Sequence, residues 1–128
     1  MDLKLRIANW DEKTSRELPE GQRLARADVT LGEDGDDLGG TSESLMHYLS
    51  DGTSTYASVM HLSGSLDGRS GSFTLVGTGT YDGTTATGTS TIVPGSGTGE
   101  LAGITGTATS SSTHADYPYM PLCVDYSL

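Results

Sequence analysis

Cysteine, basic charge and aromatic bulk are all scarce in this chain. The single cysteine, Cys123, excludes an internal disulfide framework. One thiol also cannot build a zinc site of the usual kind. Only seven Lys and Arg stand against seventeen Asp and Glu, for a net charge of −10. That balance argues against nucleic acid, whose phosphates need a basic surface, and against anionic membranes. No apolar run approaches the roughly 18 residues of a transmembrane helix. The opening Met1-Asp2-Leu3-Lys4 lacks the apolar centre of a signal peptide. A soluble protein of the cytoplasm is therefore expected. The three histidines, His47, His61 and His114, show no ligand-pair spacing, so neither metal nor other cofactor is expected. One Phe and one Trp against eighteen Gly leave few large side chains for a core. At 128 residues the chain is a single domain, 1–128.

Helical stripes are missing as well. Residues 11–20 are helix formers by composition, but they carry almost no apolar residue and meet Pro19. Residues 98–102 have the makings of one helical turn. Elsewhere short alternating segments are punctuated by Gly, Asp and Pro. About eight strands are expected, near 3–10, 22–31, 40–50, 54–63, 71–81, 84–93, 103–111 and 119–127. Eight strands in one small all-β domain suggest a closed antiparallel barrel or a sandwich, and closure removes sheet edges.

Two hairpins can be placed in register. Asp82-Gly83 reads as a two-residue turn pairing Gly79 with Ala86, Leu75 with Ser90 and Phe73 with Ile92. The opposite face of these strands is almost wholly threonine and so faces water. The inward face then carries Gly77, Gly79, Gly88 and Ser90 at its middle. In the strand near 103–111, Ile104, Gly106 and Ala108 point in, while Thr105, Thr107 and Thr109 point out. Small inward residues on three strands predict a hollow, since an eight-stranded interior is just wide enough for one small ligand. The second hairpin turns at Asp51-Gly52. Two-residue pairing sets Glu43 opposite Met60, Leu45 opposite Ser58 and His47 opposite Tyr56, with Leu45, Leu49, Met60 and Leu62 inward. A three-residue loop would reverse the faces on one strand.

If that face is inward, Glu43, His47 and Tyr56 share the hollow. A carboxylate in an apolar interior has a raised pKa, as a general acid or base near neutral pH requires. His47 beside Tyr56 would make a proton-carrying pair. Leu45, Met60, Phe73, Leu75, Ser90, Ile92 and Tyr126 would form the wall. The run Glu33-Asp34-Gly35-Asp36-Asp37 fails the calcium-loop pattern, because Leu45 would fall at the terminal Glu position. The glycine run at 95–99 lacks the lysine of a phosphate loop. Cys123 has no basic neighbour and reads as structural.

Three segments together resemble a known pattern: Trp10-Asp11-Glu12-Lys13, the stretch Gly64-x-Leu66-x-Gly68-Arg69-Ser70-Gly71-Ser72-Phe73, and residues Val93 to Gly103. They resemble a bacterial family of uncharacterised domains whose fold is similar to the allene oxide cyclase barrel. The resemblance implies an eight-stranded antiparallel barrel, allene oxide cyclase-like or lipocalin-like, with an apolar interior and self-association. Relatives of that barrel include cyclases that fold a reactive small molecule into a ring-forming conformer. The chain departs from the pattern at Met60, where a glutamate is expected, at Gly77, where a histidine is expected, and at Ser90, where tryptophan is common. His47 stands where a small residue is expected.

The resulting expectation is a cofactor-independent cyclase or isomerase acting on a small, largely apolar organic molecule of natural-product type. Confinement would do most of the work, with Glu43 as acid or base and His47 and Tyr56 as donors. The alternative is a non-catalytic barrel that binds a hydrophobic ligand. The partner in either case is a small hydrophobic molecule, and a homo-oligomer is expected from the resemblance.

Overall fold

A computed structural model describes residues 2–32 and 37–128. Most of the acidic run from Glu33 to Asp37, residues 33–36, lies outside the described residues. Among the described residues nine strands form one antiparallel sheet: β1 (Asp2–Glu17), β2 (Arg23–Leu31), β3 (Leu38–Tyr48), β4 (Ser54–Leu66), β5 (Arg69–Tyr81), β6 (Thr85–Ile92), β7 (Thr98–Gly99), β8 (Thr105–Thr113) and β9 (Tyr119–Ser127). The order is β4-β3-β2-β1-β9-β8-β6-β5, and β4 pairs with β5, so eight strands close into a ring. The two-residue β7 hangs on the start of β5, through Gly71–Gly99 and Ser72–Thr98.

The eight expected strands are all present; β1, β4 and β5 run longer than expected, and the ends of the others move by two residues or fewer. The largest difference is β1, which runs on to Glu17 through the charged stretch where helix formers dominate. Pairing with β2 holds it extended as far as Glu17–Arg23. Two register shifts, between Ile7 and Asn9 and between Thr14 and Arg16, insert an extra β1 residue each time. The first shift brings Trp10, opposite buried Val29, onto the inner face. The turn expected at 98–102 is a bridge to β5 followed by tight turns, with Leu101 N bonding Thr98 O and Ala102 N bonding Gly99 O.

Both hairpin registers differ from expectation, with opposite results. At Asp82 the first ladder pair is Tyr81–Ala86, and Gly77 faces Ser90. The Asp82 carboxylate accepts from Thr84 N (2.9 Å), Thr84 Oγ1 (2.9 Å) and Thr85 N (2.8 Å), which builds a longer loop. The shift is two residues, so every side chain keeps its expected face. At Asp51 the first pair is Tyr48–Ser54, so Met46 faces Tyr56 and Ser42 faces Met60. Here Asp51 binds Thr53 N (2.9 Å) and Thr53 Oγ1 (2.7 Å) across a loop of odd length. The shift is one residue, and it turns β3 over.

The two ends of the ring differ. One end is packed by Leu62, Leu66, Phe73, Ile92, Leu101 and Ile104, each at most 1% exposed. Leu101 and Ile104 come from the segment joining β6 to β8, which folds beneath the ring. A Cβ on Gly71 would stand 2.0 Å from Thr98 O, so only glycine lets β7 approach there. The other end is open.

Candidate functional site

The inner faces of the strands toward the open end surround a hollow of about 160 Å³. Its floor is Leu31, Leu75 and Leu122, above the packed end. Its wall carries the methionines Met46, Met60 and Met120, and Trp10 stands at its mouth. Seven hydroxyls also face it, from Ser42, Ser44, Tyr56, Ser58, Ser90, Ser110 and Ser112. None has a hydrogen-bond partner among the described residues, and none is sealed from the hollow. An unpaired hydroxyl shut away from water is costly, so these groups are left for a guest or for water. No Asp, Glu, Lys or Arg lies on the wall among the described residues.

Tyr56 is the most specific element. Its ring lies across the glycines of β5 and β6. A Cβ on Gly79 would stand 2.3 Å from the ring tip, and one on Gly88 would stand 2.7 Å from the hydroxyl. The small inner wall therefore seats this one tyrosine and is not wholly empty. Burial pushes the Tyr56 phenol above its ordinary range, so it is a neutral donor at neutral pH.

Of the expected wall and site residues, Tyr56, Met60, Leu75 and Ser90 line the hollow. Phe73 and Ile92 face inward but lie in the packed core, 0% and 1% exposed. Tyr126 sits at the same closed end and donates its hydroxyl to Asp67. Glu43, Leu45 and His47 are on the outer face, because β3 is turned over by its register. Glu43 pairs with Arg26 at 3.2 Å on the surface. Leu45 is 62% exposed. His47 Nε2 meets Gln22 Oε1 at 2.9 Å. The expected acid/base trio is therefore not assembled.

The reversal puts Ser42, Ser44, Met46 and Tyr48 inside instead. Sequence reasoning missed Ser110 and Ser112, although extending the inward series Ile104, Gly106, Ala108 by two more steps reaches both. It also missed the polar cluster at the mouth. There Glu12 accepts from Tyr48 Oη (3.1 Å) and from Trp10 Nε1 (3.3 Å). The Arg23 guanidinium lies 4.0 Å from the Tyr48 ring centroid. Burial and then Glu12 push the Tyr48 phenol up. Only the β1 bulge brings Trp10 and Glu12 inward, and nothing in the local pattern announces a bulge. Cys123 is exposed, and its hydrogen bond to Asp2 pushes the thiol up, so it is a poor nucleophile.

Among the described residues no helix is long and apolar enough to cross a membrane. No curated protein matches the chain. The crystal structure of a Shewanella oneidensis MR-1 protein of the DUF3224 family, with unknown function, is similar to it. The TM-score is 0.69 at 22% identity, over 100% of this chain and 97% of that one. That likeness shows a shared fold. The sequence pattern of the same family spans residues 4–120, and the chain thus belongs to the family described as protein of unknown function DUF3224.

Proposed function

We propose that this protein binds a small neutral organic molecule inside the ring, and that the ring is a closed barrel of the allene oxide cyclase-like type. The observation that carries the proposal is the set of seven unpartnered hydroxyls around a hollow of about 160 Å³. A dry apolar cavity of about 150 Å³ is known to hold one benzene ring. The size therefore favours a guest of about one ring. The hydroxyls favour a guest with a hydroxyl or carbonyl on its edge. The uncharged wall and the net charge of −10 disfavour anions. The barrel reading is supported by the β4–β5 ladder, which runs unbroken from Ser54–Tyr81 to Leu66–Arg69.

Three of the four methionines line the hollow, which provides a direct test. With methyl-labelled methionine, adding phenol shifts the NMR signals of Met46, Met60 and Met120. Unmoved signals at millimolar phenol would reject the proposal. A cyclase or isomerase reading draws on the same confinement, with Tyr56 as the single ionisable group on the wall among the described residues. It requires turnover that Tyr56→Phe abolishes while binding persists.

A further inference from the structure

A second hollow of about 190 Å³ opens at the rim, lined by Trp10, Tyr81, His114, Tyr117 and Tyr119 among others. Trp10, Tyr117 and Tyr119 are 51%, 67% and 45% exposed. Large aromatic surface left in water is unfavourable unless something covers it. The residues that shape the rim are held in place. Tyr81 Oη and His114 Nε2 are 2.9 Å apart, with the two rings edge to face. Trp10 Nε1 is tied to Glu12. The two hollows share Ile7, Trp10, Ala86 and Ser112 on their walls, so they are neighbours. Neither alone reaches the roughly 300 Å³ at which ordinary ligand sites begin, and together they do. Neither contains Asp, Glu, Lys or Arg among the described residues.

We propose that the two hollows form one bipartite site for a neutral two-ring molecule. Its hydroxyl- or carbonyl-bearing ring enters the inner hollow, and its second, flat aromatic ring lies at the rim against Trp10, Tyr117 and Tyr119. The inference rests on the small-molecule reading above and adds the shape and class of the ligand. Aromatic side chains at the rim favour a flat ring through stacked or edge-to-face contact. Tyr56 and the serines serve the polar end.

The test compares phenol with 4-phenylphenol, using the methionine methyl signals for affinity and the fluorescence of the sole tryptophan, Trp10, for the rim. The expected result is at least tenfold tighter binding of 4-phenylphenol, with a change in Trp10 emission that phenol does not produce. Tyr117→Ala combined with Tyr119→Ala should remove that gain and leave phenol affinity unchanged. Trp10→Leu should also remove the gain by the methyl signals, which keeps the test open if the double variant folds poorly. If 4-phenylphenol binds no tighter than phenol, or keeps its advantage in both variants, the bipartite site is wrong while the inner site stands. If neither probe moves the methionines, both proposals fall.

Discussion

Strand β5 carries Phe73 and Leu75 into one end of the ring and Gly77 and Gly79 into the other. The same alternation runs through both halves, yet one half is filled and the other is hollow. Phe73 and Leu75 are 0% and 2% exposed, among Leu62, Ile92, Leu101 and Ile104. A Cβ on Gly77 would meet Thr89 O and Ser90, and one on Gly79 would meet the Tyr56 ring and Thr87 O. Serine and glycine add almost no apolar area, so the open half contributes little to the hydrophobic stabilisation that burial provides. The lesson is a division along single strands: the aliphatic end supplies the packed core, and the hydroxyl end is left hollow.

That contrast can be broken from either side. Phe73→Ala, in the packed end, should cost about 3–5 kcal/mol by chemical denaturation. A loss below about 1 kcal/mol would mean that end is not the stabilising one. Gly79→Val, in the open end, drives a side chain into the Tyr56 ring and to within 2.5 Å of Thr87 O. Overpacking of this kind should cost about 1–3 kcal/mol and displace Tyr56, removing phenol binding. Gly88→Ala meets mainly the Tyr56 hydroxyl at 2.7 Å, the far end of a side chain. It should weaken phenol binding with a smaller loss of stability than Gly79→Val.

Ser44→Ala and Ser110→Ala remove hydroxyls that have no protein partner. Each should therefore change stability by no more than about 0.5 kcal/mol. Together they should still weaken phenol binding measurably in a methyl-shift titration. A large stability loss would show that these hydroxyls are structural. The smallest effect is alkaline. Burial raises Tyr56 and Tyr48 above the ordinary 10.0. The unfolded chain then ionises first, so the stability they protect is complete below pH about 10 and is lost as pH rises through the folded pKa values. In an ultraviolet titration, Tyr56→Phe and Tyr48→Phe should each remove a late-ionising component. Tyrosines that all titrate at the ordinary value would contradict the burial of this face.

How far the site was legible depended on parity. The threonine face of β5 and β6 identified the inner face correctly, and a two-residue register error could not disturb it. The β3–β4 hairpin had no such marker, because Leu45 and Leu49 on one face compete with Met46 and Tyr48 on the other. A one-residue error there was enough to place Glu43, Leu45 and His47 inside when they are outside. Trp10 and Glu12 were out of reach for a related reason, since a single bulged residue in β1 decides which face they take. The glycines were read as empty space, and Tyr56, which fills part of it, arrives from a neighbouring strand.

Residue alternation and turn chemistry by themselves determined an all-β chain, its eight ring strands and the inner face of β5, β6 and β8. Those properties are local, because a strand's period and a turn's side-chain hydrogen bonds involve residues close in sequence. Ring closure through β4 and β5, the face that β3 turns inward, the seat of Tyr56 and the place of Trp10 on the walls of both hollows were decided only by tertiary structure. Each depends on how one strand is displaced against the next, and a displacement of a single residue exchanges inside for outside.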